Sequence, residues 1–155
     1  MRYRLDGDRP AFTRADVVFT GVDHSGGSYE VRLFLNNPDA DASTARDEAA
    51  RYAGRFHVFG HGGCFGDIGH CDVPKPSADP TDFRPAHPLT RLNTYVTVTT
   101  ALRRLLVAGA MLETLTLVPI SLPPRREDRM PAPDLFRCNG VDLRTYVTPA
   151  DEPVS

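Results

Sequence analysis

A chain of 155 residues, 41% apolar and 25% charged, is long enough to bury a hydrophobic core as one domain. Its net charge of −2 argues against nucleic acid or an anionic membrane surface as partner, since both need a basic field. No run nears the roughly 18 apolar residues of a membrane span, and the odd cysteine count (Cys64, Cys71 and Cys138) allows at most one internal disulfide.

The start, "MRYRLDGDRPAF", is charged and lacks an apolar run, so it does not read as a signal peptide. The expectation is a cytoplasmic protein, one exported with a partner, or a piece of a longer chain. The first element, "ADVVFTG" (15–21), reads as a short strand. "SYEVRLFLNN" (28–37) is the clearest strand, with Tyr29, Val31, Leu33 and Leu35 on one face and Glu30 and Arg32 on the other. Phe34 breaks the alternation, so the outer face is expected to be partly covered. Asn36-Asn37-Pro38 ends the strand. "DADASTARDEAAR" (39–51) reads as a helical turn or a loop. "YAGRFHVFG" (52–60) returns to strand character, with Phe56 and Val58 opposite His57 and Phe59.

Pro74, Pro76, Pro80, Pro85 and Pro88 forbid regular structure over 73–88. "NTYVTVTTALRRLLVAG" (93–109) predicts a strand running into a short helix. Thr99 or Thr100 caps that helix, Leu102, Leu105 and Leu106 form its apolar face, and Gly109 ends it. "ETLTLVPISL" (113–122) is another alternating strand, "PPRREDRMPAPD" (123–134) a charged, proline-broken loop, and "GVDLRTYVT" (140–148) a last strand. Strands with a single short helix and long loops predict an all-β fold, an antiparallel β-sandwich of jelly-roll or immunoglobulin-like type. It is expected to form one domain over 1–155, with its core at about 14–148 and a polar tail at 149–155.

The densest chemistry lies in "HVFGHGGCFGDIGHC" (57–71). Imidazole and thiolate suit copper and zinc, so His57, His61, His70, Cys64 and Cys71 are the candidate metal ligands. Asp67 and Asp72 could orient a ligating histidine, or cap turns. The spacing matches no standard zinc motif. The same loop could instead be closed by a Cys64–Cys71 disulfide, given an oxidising compartment, or be a glycine-rich turn with plain thiols. His24, in "DHSGGS", reads first as a turn residue. His87 reads as a surface residue of the proline-rich loop, and Cys138 as a lone thiol beside an Asn-Gly turn. "GHGGCFG" lacks the closing Lys-Ser/Thr of a phosphate-binding loop.

The succession "YEVRLFLNNPDA", "YAGRFHVFGHG", "VTVTTALRRLL", "TLTLVPI" resembles the C-terminal β-sandwich of tyrosinase-like and polyphenol-oxidase-like copper proteins. The likeness spans roughly residues 28 to 120 and is one of pattern. In that family six histidines on helices hold two coppers in a separate domain, and the sandwich packs beside it as support or lid. The histidines here, His24, His57, His61, His70 and His87, lie on no convincing helix, so the chain does not build a binuclear centre alone. The resemblance therefore implies an accessory domain or small subunit of a copper-dependent oxidoreductase, partnered by a helical copper domain. Two readings stand beside it. One is a stand-alone copper- or zinc-binding protein, a carrier or small metalloenzyme, using the 57–71 loop. The other is a structural interaction domain with the Cys64–Cys71 disulfide.

Overall fold

The computed structural model describes residues 2–3, 12–24, 26–60, 80–81, 91–122 and 135–147. Seven strands and one helix occur among them: β1 (Arg2–Tyr3), β2 (Arg14–Val22), β3 (Tyr29–Leu35), β4 (Tyr52–Val58), β5 (Leu92–Thr97), α1 (Thr99–Val107), β6 (Leu115–Ser121) and β7 (Gly140–Tyr146). They form two antiparallel sheets, ordered β1-β6-β3-β4 and β5-β2-β7. The fold is all-β, as the alternating segments predict. β1 lies ahead of the expected core. Two residues carry no readable side-chain period, and β1 is defined only by backbone pairing to Leu115 and Thr116.

The strands form where the period-two pattern is cleanest. Along β3, Tyr29, Val31, Leu33 and Leu35 are at most 2% exposed, and they pair with apolar positions of β4 and β6 on the same face, Val31 with Phe56 and Leu33 with Leu117. In β2 the buried set runs Ala15, Val17, Phe19 and then shifts phase to Val22. The shift has a local cause. Gly21 adopts φ 63°, and the pairing with β5 slips between Phe19 and Val22. That left-handed residue inserts one extra position, as a β-bulge does, and turns the next side chain to the other face.

The two sheets share one buried cluster. Phe19 of β2 meets Phe56 of β4 at 4.7 Å between ring centroids. Phe136, in the approach to β7, packs edge-on against Phe19, Phe56 and Tyr29 at 6.0–6.2 Å. Buried aromatic side chains of this kind each contribute about 1.5–3 kcal/mol from the area removed from water. The outer face of β3 is covered too, as the break at Phe34 predicts. Phe34 is fully buried against Tyr52, and Arg32 donates to the Ala42 carbonyl of the crossing 37–51 segment. That segment is a series of turns without helix. Asp41 organises it by accepting from the backbone of Ser43 and Thr44, the local bonding that makes aspartate a turn former.

Helix α1 departs from its expected start. Its N-cap is Val98, with no side-chain cap bond. Thr99 is the first helical residue, and its hydroxyl accepts the Ala15 N–H of β2 at 2.9 Å. Neither Thr99 nor Thr100 is the cap, because a threonine hydroxyl can equally satisfy a distant backbone group, and sequence does not reveal which. The apolar face is as expected, with Leu102 and Leu105 buried and Leu106 packed against the core. Gly109 follows the last turn at φ 75°. Among the described residues no helix is long and apolar enough to cross a membrane.

Candidate functional site

His57 lies on β4, directly across the ladder from Glu30 of β3. Both point to the outer face of the four-stranded sheet, because Val31, Phe56 and Val58 take the inner one. Glu30 is only 4% exposed, and an ionised carboxylate so far from water needs close partners. It has three. Arg32 Nε donates to Oε1 at 2.5 Å, Arg55 Nη1 to Oε2 at 3.2 Å, and His57 Nε2 lies 3.0 Å from Oε2. Burial by itself pushes the Glu30 carboxyl up. The hydrogen bonds and charges of Arg32, His57 and Arg55 outweigh it and hold the group below the ordinary glutamate value.

The ionised carboxylate also selects the histidine tautomer. A carboxylate only accepts, so His57 Nε2 carries the proton that it donates. Nδ1 is then the nitrogen left to accept a proton or a ligand, on a side chain that is 44% exposed. A carboxylate behind an imidazole is the usual way of orienting a metal-binding histidine. The sequence reading missed Glu30 in this role. Its outward position was legible from alternation, but its register opposite His57 was not.

Beyond Val58 the strand ends, two residues short of the expected boundary. Phe59 is 85% exposed. Gly60 donates its N–H to Ser28 Oγ at 3.1 Å, and a Cβ there would lie 2.0 Å from the Gly26 carbonyl oxygen. Only glycine allows that close approach of two backbones. The chain therefore leaves β4 from a fixed point beside the β2–β3 connection.

His61, Cys64, Asp67, His70, Cys71 and Asp72 lie outside the described residues, as does His87. Of the candidate ligands, only His57 is therefore placed. Among the described residues no group of three or more His, Cys, Asp or Glu side chains is arranged to hold a metal ion. His24 is buried in the β2–β3 connection, close in sequence to Asp23, whose carbonyl accepts the Tyr29 hydroxyl at 2.7 Å. Cys138 is half-buried and packs against the shared core.

A second charged cluster sits on the outer face of the three-stranded sheet. Asp16, 2% exposed, pairs with Arg14 at 2.8 Å and accepts from Thr97 at 2.8 Å. Arg14 also lies over the rings of Tyr95 and Tyr146, so its guanidinium is already engaged on three sides. Comparison of the chain with protein-family models, with curated proteins and with solved structures found no match.

Proposed function

We propose that this chain is the accessory β-sandwich of a tyrosinase-like copper oxidase, a detached domain or small subunit that covers or supports the copper site of a helical partner. The resemblance in the strand and turn pattern motivates the reading. The observation that carries it further is the corner of the molecule at the end of β4. There the 85% exposed Phe59 follows His57 and Arg55, both more than 40% exposed, along the end of the strand. Aromatic and arginine side chains together are the composition that protein interfaces favour. The same corner leads directly into the His/Cys-rich stretch.

The test is co-purification of the chain with the products of its neighbouring genes. A helical copper protein should elute with it in stoichiometric amount, and Phe59→Ala should weaken that association. A well-behaved monomer with no such partner overturns the reading.

A second reading, a chain that binds copper or zinc by itself, is favoured by the Glu30–His57 pair. An imidazole nitrogen backed by a carboxylate fits either metal. His57 supplies one donor, and the other candidate donors lie outside the described residues. Elemental analysis and thiol counting on one untagged sample test this reading. About one metal per chain is expected, with loss in His57→Ala and weaker retention in Glu30→Gln, where second-shell changes typically cost about 10–100-fold in affinity. No metal above background would sink it.

A further inference from the structure

At the far end of β4 from His57, a cleft of about 210 Å³ opens between α1 and the 48–52 turn. Its floor is Leu35 and Leu105, both nearly inaccessible, with half-buried Tyr52 beside them. Its rim is charged, with Arg51 on one side, Arg104 on the other, and Glu48 reaching across to Arg104 at 3.1 Å. Two arginines against one glutamate leave the rim with a net positive charge.

Arg51 is the unusual member. Its backbone adopts φ 61°, a left-handed conformation that glycine or asparagine takes more readily. The backbone is held there by bonds that do not involve the side chain. Arg51 N–H donates to the Glu48 carbonyl, and its carbonyl accepts from Leu35 N–H. Among the described residues no ion pair engages the Arg51 guanidinium. A strained position occupied by a long cation, at the mouth of a cleft, calls for a function of the side chain. The Glu48–Arg104 pair is exposed on both sides, 67% and 57%, and such surface pairs contribute little to stability and exchange partners easily. Nor does the end of α1 repel an anion strongly. The carbonyls of Arg104, Leu105 and Leu106 already accept from Ala108, Ala110 and Gly109.

We propose that this cleft binds a small amphipathic monocarboxylate. Its apolar tail lies on Leu35, Tyr52 and Leu105, and its carboxylate bridges Arg51 and Arg104, displacing Glu48. The cleft is below the roughly 300–1,000 Å³ of drug-sized sites, which limits the ligand to a short chain or a single ring. The site is independent of the copper reading and stands or falls apart from it.

Hexanoate is the probe, titrated into the full isotope-labelled chain at low salt and followed by amide chemical shifts. Saturable shifts are expected at Leu35, Arg51, Tyr52 and Leu105, with hexanamide and inorganic phosphate binding at least several-fold more weakly. Arg51→Gly suits the backbone and removes the charge, so it should weaken hexanoate by roughly tenfold, the scale of one charged hydrogen bond. Glu48→Gln releases Arg104 and should tighten binding. If Arg51→Gly fails to fold, Arg104→Gln carries the same test. The proposal is overturned by an absence of saturable shifts, by equal binding of hexanamide or phosphate, by affinity unchanged in the arginine variants, or by weaker binding in Glu48→Gln.

Discussion

Glu30 gathers three basic side chains, Arg32, Arg55 and His57, around one buried carboxylate. Its partners differ in exposure. Arg32 is 17% exposed, whereas Arg55 and His57 are 43% and 44% exposed, so the Arg32 bond carries most of the stabilisation and the other two are screened by water. Glu30→Gln keeps the shape and removes the charge, leaving Arg32 without its counter-ion. A loss of about 1–3 kcal/mol is expected at neutral pH, read as a lower urea midpoint. The pH dependence has a definite sign. The folded carboxyl is held below the ordinary value of 4.5, so the unfolded chain takes up its proton first as the medium is acidified. The stabilisation is complete above that ordinary value and is lost as pH falls through the folded one. The stability gap between the native chain and Glu30→Gln should therefore narrow on acidification below about pH 4.5. A gap that stays constant or widens would show that Glu30 is not ionised in the folded protein.

Among the elements, α1 shows how a helix start can serve the fold in place of the helix. Its first turn has no side-chain cap, and Thr99 instead takes up the N–H of Ala15, a fully buried residue of β2. Thr99→Val preserves shape and leaves that buried donor without its hydroxyl partner, which should cost about 1–3 kcal/mol in equilibrium unfolding. Thr100→Val, one position along and exposed, should stay within about 0.5 kcal/mol of the native chain. Equal losses at both positions would point to helix propensity as the cause. Strands β2 to β7 and the apolar face of this helix were legible beforehand, because burial on one face imposes a period on the sequence. The use of Thr99 was not, because Ala15 is far away along the chain. The same limit hid Phe136, which follows a proline-broken charged stretch and bears no periodic neighbours, yet fills the space between the sheets.

For the whole molecule, the shared aromatic cluster makes the two sheets interdependent. Phe19, Phe56, Tyr29 and Phe136 come from both sheets and from the approach to β7. Phe19→Ala should cost about 3–5 kcal/mol, and both sheets should still be lost in one transition, with secondary-structure and aromatic signals melting together. Separate transitions would mean that each sheet is held by its own pairing and that the cluster matters less than its burial suggests. The candidate site divides in a similar way. His57 was identified from ligand chemistry and its outward face from alternation. The partner that orients it, Glu30, required the pairing of β3 with β4.

The sequence by itself determined the inward faces of β3, β4 and α1, roughly where β2 to β7 and that helix run, and that the fold is all-β. Those properties follow from local periods of two and 3.6 residues, which any stretch of chain expresses without reference to the rest. Only the tertiary structure decided that Glu30 faces His57, that Thr99 meets Ala15, and that Arg51 and Arg104 flank one cleft. Such meetings depend on strand register and on how sheet and helix close on each other. A shift of one residue would exchange the faces of a strand and replace every one of these partners while leaving the local pattern unchanged.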